Sequence, residues 1–176
     1  MHKNKVRCIH IFPRVKEENI IDEIREKYDN LFNCIEPHIT LVFPFESNID
    51  TEKIIEEIKQ VLKNQKPFKI NLKGLKMVED YGYFLFVDIN KGKEEIKKIH
   101  YKLYKGLLNP YQSEWTKNEN YSPHITVGRF QTKEELITAY NRLKNIEFEY
   151  KVMVDRLYIE RIGEKEESII EYIFKF

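Results

Sequence analysis

Pro37-His38-Ile39-Thr40-Leu41-Val42-Phe43 returns, 86 residues later, as Pro123-His124-Ile125-Thr126-Val127-Gly128-Arg129. The chain has 6 Pro, 5 His, 23 Ile and 6 Thr among 176 residues. Two chance copies of Pro-His-Ile-Thr in such a chain are on the order of one in a million, so this is an internal repeat. Each copy follows a polar loop and runs into an apolar strand and then an amphipathic helix. The repeat predicts two lobes, one per half of the chain.

The flanking sequence supplies the other elements. Val6 to Phe12 reads as a strand closed by Pro13, and Glu17 to Tyr28 as a helix with Ile20, Ile21 and Ile24 on one side. His38 to Phe43 is a strand held between Pro37 and Pro44. Asp50 to Lys63 is amphipathic, with Asp50 or Thr51 as its cap. Phe68 to Val78 and Tyr83 to Ile89 are strands about an Asp80-Tyr81-Gly82 turn. Glu94 to Leu107 is a helix, Asn109 to Asn120 a polar loop, His124 to Phe130 a strand and Thr132 to Lys144 a helix. Phe148 to Ile162 and Ser168 to Phe176 make a hairpin across Gly163-Glu164-Lys165-Glu166. Strands and helices mix without strict alternation, and no Gly/Ser linker divides the chain. The expected class is α+β with antiparallel sheets, built as a single domain over residues 1–176.

Composition narrows the function. Hydrophobic residues make up 41% of the chain, enough for a core, so wholesale disorder is excluded. Thirty Lys and Arg against 29 Asp and Glu leave a formal charge of +1, without the basic excess of a protein that coats long nucleic acid. Any nucleic-acid partner is therefore short or held locally. No apolar run is long enough to span a membrane. The first residues lack a cleavage site, so no signal peptide is expected and the expected location is the cytoplasm. Cys8 and Cys34 lie among apolar residues outside any Cys-x-x-Cys pair, and read as buried free thiols.

On a strand, residues two apart share a face. His38 and Thr40 therefore point one way and Ile39 the other; His124 and Thr126 repeat the arrangement. Two lobes related by a pseudo-twofold axis bring two imidazoles and two hydroxyls around one small volume. Imidazole exchanges protons near neutral pH. One histidine suits the role of general base, and the other, protonated, that of general acid at a phosphorus atom between them. The threonine hydroxyls suit hydrogen bonding to non-bridging phosphate oxygens. A histidine on an apolar strand is ordinarily structural, but core packing does not call for the same polar pair twice. No zinc-ligand spacing accompanies either histidine, so no metal and no cofactor are expected.

At Glu36-Pro37-His38-Ile39-Thr40-Leu41-Val42-Phe43 and Tyr121-Ser122-Pro123-His124-Ile125-Thr126-Val127-Gly128-Arg129 the chain resembles the 2H phosphoesterase superfamily, which includes the 2′-5′ RNA ligase-like proteins. The likeness covers nearly the whole chain in the order of its elements. It implies a bilobed, pseudo-twofold fold, two antiparallel sheets flanking a central cleft with helices outside. It implies hydrolysis of 2′,3′-cyclic phosphodiesters at nucleotides or RNA ends, leaving a 2′-phosphate. His38, Thr40, His124 and Thr126 match the family's catalytic positions. Arg129 matches a substrate-contacting position, although strand parity turns it away from the cleft unless the strand bulges at Gly128. Phe43-Pro44-Phe45 offers no equivalent arginine. Tyr121, three residues before His124, is a candidate for stacking on a base, and His10 and Phe12 share the face of the first strand that borders the cleft or fills the core. The expected partner is a nucleotide or RNA terminus carrying a cyclic phosphate, with no membrane and a monomeric chain. Two alternatives stand beside hydrolysis: a non-catalytic module that binds phosphate-terminated RNA, and RNA end-joining through a 2′-5′ linkage.

Overall fold

The computed structural model describes residues 4–15, 19–118 and 120–176. Among the described residues eight strands and four α-helices follow one another as β1 (Lys5–Ile11), α1 (Ile20–Tyr28), β2 (Ile39–Ser47), α2 (Thr51–Val61), β3 (Phe68–Val78), β4 (Tyr83–Lys91), α3 (Lys93–Leu103), β5 (Ile125–Phe130), α4 (Lys133–Leu143), β6 (Glu149–Val154), β7 (Arg156–Ile162) and β8 (Ser168–Lys175). The strands form two four-stranded antiparallel sheets, ordered β2-β1-β7-β8 and β5-β4-β3-β6. Here they are the terminal sheet and the middle sheet. Both motif strands, β2 and β5, lie at an edge and pair with the strand that precedes them in sequence.

The lobes are not the two halves of the chain. The terminal sheet takes β1 and β2 from the start and β7 and β8 from the end, and the middle sheet is everything between. Nor does each helix stay with its own strands: α1, between β1 and β2, lies against β5 of the middle sheet, while α3, between β4 and β5, lies against β2 of the terminal sheet. The expected hairpin from Phe148 is likewise corrected. That stretch breaks at Asp155, with β6 in the middle sheet and β7 in the terminal one. At the break the Asp155 carboxylate takes both Nε and Nη2 of Arg156, each at 2.7 Å, and the Asp155 carbonyl accepts from Phe176 N. Only β7 and β8 make the hairpin, across the expected turn.

Local chemistry sets the boundaries. Asn19 caps α1, its Oδ1 accepting from Ile21 N and Asp22 N at 3.1 Å, so the helix begins there; Lys16, Glu17 and Glu18 lie outside the described residues. Thr132 and Glu135 close a reciprocal capping box on α4. Gly92 enters α3 at φ 87°, and a methyl there would meet Lys69 O and Ile70 Cγ2 at 2.7 Å. Pro44 does not end β2 as expected. It falls where the ladder shifts register between Arg7–Phe45 and Ile9–Val42, and an edge strand tolerates a missing donor. The core takes Ile39 and Leu41 from one motif and Ile125 and Val127 from the other, each 1% exposed or less. Cys8 is buried as expected, whereas Cys34 is only partly so, and both are free. Among the described residues no helix is long and apolar enough to cross a membrane.

Candidate active site

The two motifs have the same burial pattern. His38, Thr40, His124 and Thr126 are half-exposed, and the residues between and after them are buried. Each imidazole is also held in the same way. His38 Nδ1–H donates to the Glu36 carbonyl at 2.9 Å, and His124 Nδ1–H to the Ser122 carbonyl at 2.8 Å. A proline lies between ring and carbonyl in both motifs, and the bond fixes the tautomer. Nε2 of each ring is thereby left as the proton-exchanging atom.

Their surroundings differ. His124 lies flat on Phe86, ring centroids 3.7 Å apart and planes within 8°. His38 meets the edge of His10 at 4.5 Å and stands 6.2 Å from Phe12. Burial holds both catalytic candidates down to about 4, and in both cases the bonded carbonyl pulls the other way. Arg129 depresses both further; Arg25 adds to this at His38 and Lys76 at His124, while Asp29 opposes it at His38.

Arg129 therefore acts on both imidazoles. Strand parity alone points it outward, but the β4–β5 register slips between Leu85–Gly128 and Phe86–Thr126, so β5 bulges at Val127–Gly128. Arg129 Nε stands 3.1 Å from Asp29 Oδ1. Asp29 is buried and also takes Arg25 Nε at 2.8 Å, and Arg25 in turn donates to the Leu31 and Ile35 carbonyls. A buried carboxylate between two guanidiniums is costly to break, because either charge left alone is unsolvated. Because α1 lies on β5, this cluster ties a helix that enters from the terminal sheet to the second motif.

Tyr121 does not offer a face to a base. It is 2% exposed, its ring lies on His100 at 3.7 Å and 7°, and its hydroxyl donates to the Thr40 carbonyl at 2.7 Å. His100, on α3, donates from Nδ1 to the Leu41 carbonyl at 2.7 Å. Tyr121 thus braces the first motif from the loop that leads to the second. Burial is the reason: α3 on β2 covers the segment that looks like open loop in sequence.

Ladder pairing adds Phe86, Lys76 and Tyr158, which periodicity did not single out, and sets His10 beside Thr40. Thr126, Phe86 and Lys76 form one row across the middle sheet, and Thr40, His10 and Tyr158 one row across the terminal sheet. Below that second row, Cys8 Sγ donates to Glu160 Oε1 at 3.4 Å and His10 Nε2 lies 3.0 Å from Cys8 Sγ. These three buried groups stand within 4.8 Å of one another and could supply three donors to a metal ion. Cys8-x-His10 was the available signal, since it places both on one strand face. Burial and the Glu160 charge raise the Cys8 thiol, and burial raises the Glu160 carboxyl. Beside the first motif opens a cavity of about 850 Å³ bordered by Phe12, Arg14, Arg25, Pro37 and Tyr158.

Two antiparallel sheets, each presenting a His-x-Thr pair from its edge strand, define the two-histidine class of phosphoesterases. The chain belongs to the 2′-5′ RNA ligase superfamily within that class: the family's profile matches residues 12–166. The chain is 30% identical over 156 residues to the "Putative phosphoesterase" of Geobacillus sp. (strain WCH70), covering 86% of this chain and 84% of that one. It is 26% identical over 149 residues to that of Oceanobacillus iheyensis, covering 84% of each. Among solved structures it shares its fold with E. coli LigT complexed with NADP+, at a TM-score of 0.62, 14% identity and 99% coverage of both chains. The match to LigT complexed with 3′-AMP has a TM-score of 0.61, 11% identity and 98% coverage of both.

Proposed function

We propose that the chain hydrolyses 2′,3′-cyclic phosphodiesters at nucleotide or RNA ends, using His38 and His124 as its acid–base pair and no metal ion in the chemistry. Support comes above all from Arg129, one guanidinium whose charge bears on both imidazoles and which therefore links the two motifs. A cyclic phosphate seated there carries its negative charge toward Arg129 and the hydroxyls of Thr40 and Thr126. One imidazole takes the proton of the attacking water through Nε2 as the new P–O bond forms. The other, as imidazolium, gives its proton to the departing ribose O3′ as the P–O3′ bond breaks, leaving a 2′-phosphate. The threonines and Arg129 hold the charge that builds on the non-bridging oxygens. The proton lost by one histidine is gained by the other, and exchange with solvent resets the pair.

The test is turnover of a nucleoside 2′,3′-cyclic phosphate in the presence of a chelator. His38→Ala and His124→Ala each lower kcat by ~10²–10⁴-fold, the usual contribution of a positioned acid or base. Wild-type rates in both variants overturn the assignment, and binding without turnover across several cyclic phosphates assigns the site to recognition instead.

A further inference from the structure

On β4, Phe84 and Phe86 are two residues apart and so share the face that Thr126 occupies on β5. Phe86 is 6% exposed and its ring is already taken by His124. Phe84 follows it at 5.8 Å, then Tyr81 at 5.7 Å, then Trp115 at 6.3 Å from Tyr81 with the planes 27° apart. Trp115 also sets its ring against Phe43, five residues past His38, at 4.5 Å. A continuous aromatic wall thus runs outward from His124 and closes on the first motif strand. Its outer members are the most open: Tyr81 is 63% exposed and Trp115 54%.

The wall is built, not incidental. Gly82 sits at φ 140°, a conformation that favours glycine, and a methyl there would lie 2.5 Å from Phe84 Cε2 and displace the ring. Charge is placed to match. Lys76 lies across from Phe86, is exposed, and acts on His124. Asp80 acts on Tyr81 and disfavours a phosphate at the outer end. A phosphate belongs beside Lys76 and an uncharged base beside Tyr81 and Trp115. Bases of any identity stack on such rings, and Lys supplies the backbone contact.

We propose that Phe84, Tyr81 and Trp115 receive the bases of a single-stranded RNA end, Phe84 that of the reacting nucleotide and Tyr81 with Trp115 that of its neighbour, so that the substrate is an oligonucleotide of two or more residues in preference to a cyclic mononucleotide. This rests on the cyclic-phosphate reading of the site and specifies its substrate class.

Trp115 is the chain's one tryptophan, so its fluorescence reports on the wall directly. A dinucleotide ending in a 2′-phosphate quenches it, and the matching mononucleoside 2′-phosphate at equal occupancy does not. In kinetics, the ratio of kcat/KM for a cyclic-phosphate dinucleotide to that for the mononucleotide falls about tenfold in Trp115→Ala, chiefly through KM, and returns in Trp115→Phe. An unchanged ratio in Trp115→Ala, or absence of quenching by the dinucleotide, overturns the wall. Should neither substrate be turned over, the hydrolytic reading fails by itself. Quenching by the dinucleotide alone then keeps the wall as a base-binding surface, and its absence removes that too.

Discussion

Burial keeps both His38 and His124 neutral at physiological pH in the free protein, each held to about 4 with Arg129 pushing the same way. The proposed chemistry needs one of them charged. The fraction of free protein with one imidazolium is greatest near that depressed value and falls about tenfold per pH unit above it. A bound cyclic phosphate supplies the missing anion, favours the imidazolium and moves its deprotonation upward. The expected result is two bell-shaped profiles that do not coincide. The basic limb of kcat/KM, which reports the free protein, lies on the acid side of an ordinary histidine, and the basic limb of kcat lies at higher pH. Initial rates at saturating and limiting cyclic nucleotide across the acidic-to-neutral range check this. Superimposed profiles with a basic limb at the ordinary imidazole value would mean that these rings are as wet as any on the surface.

An element's register decides which of its residues reach the cleft, and here the two bulged edge strands carry the consequences. Gly128 does not need a glycine for its φ; it needs the missing side chain, because a methyl would stand 2.8 Å from Phe130 Cε2 and 3.3 Å from Leu85 Cβ. The Phe130 ring can swing, but Leu85 Cβ is fixed to its backbone. Gly128→Ala is expected to cost ~1–3 kcal/mol as overpacking, read as a lower urea midpoint at unchanged slope. It is also expected to lower kcat/KM about tenfold or more by shifting Arg129 off Asp29. Alternation alone makes the inward Ile39 and Ile125 and the half-open His38, Thr40, His124 and Thr126 legible in sequence. It misdirects at Arg129, because a bulge is a property of two paired strands and only the ladder displays it. Phe86 and Lys76 are invisible for the same reason: which face they occupy follows from pairing with β5 and β3. His10 shares its strand face with Phe12 in sequence, and pairing with Thr40 sets that face beside the first motif. Tyr121 reads as open loop because its cover, α3, comes from the other side of the fold. The break at Asp155 hides inside a continuous strand-like stretch, because both of its halves are strands and only pairing shows that they belong to different sheets.

Four histidines, His10, His38, His100 and His124, are each held below the ordinary value, with burial the first cause in every case. Such a group is neutral when folded and free to charge when unfolded, so the unfolded chain binds more protons. Its contribution to stability is complete above the unfolded value of about 6.5 and is lost as pH falls through the folded value. For His38, His100 and His124 that window runs from about 6.5 down to about 4. His100 is the clearest case, with no exposure, Nδ1 on the Leu41 carbonyl and its ring against Tyr121. By itself it is worth on the order of 3 kcal/mol across the window, a large share of the ~5–15 kcal/mol that holds a typical domain folded. Acid should therefore load the brace that runs from α3 through Tyr121 to Thr40. His100→Asn keeps a donor near the Nδ1 position and removes the titration. It is expected to be less stable than the natural chain at neutral pH, through the lost ring stacking, yet to lose less stability on acidification. Urea unfolding at neutral pH and again at about one unit above the folded histidine values measures both slopes. Parallel slopes would show that His100 takes no part in the acid response, and that the linkage between α3 and the first motif strand is insensitive to protonation.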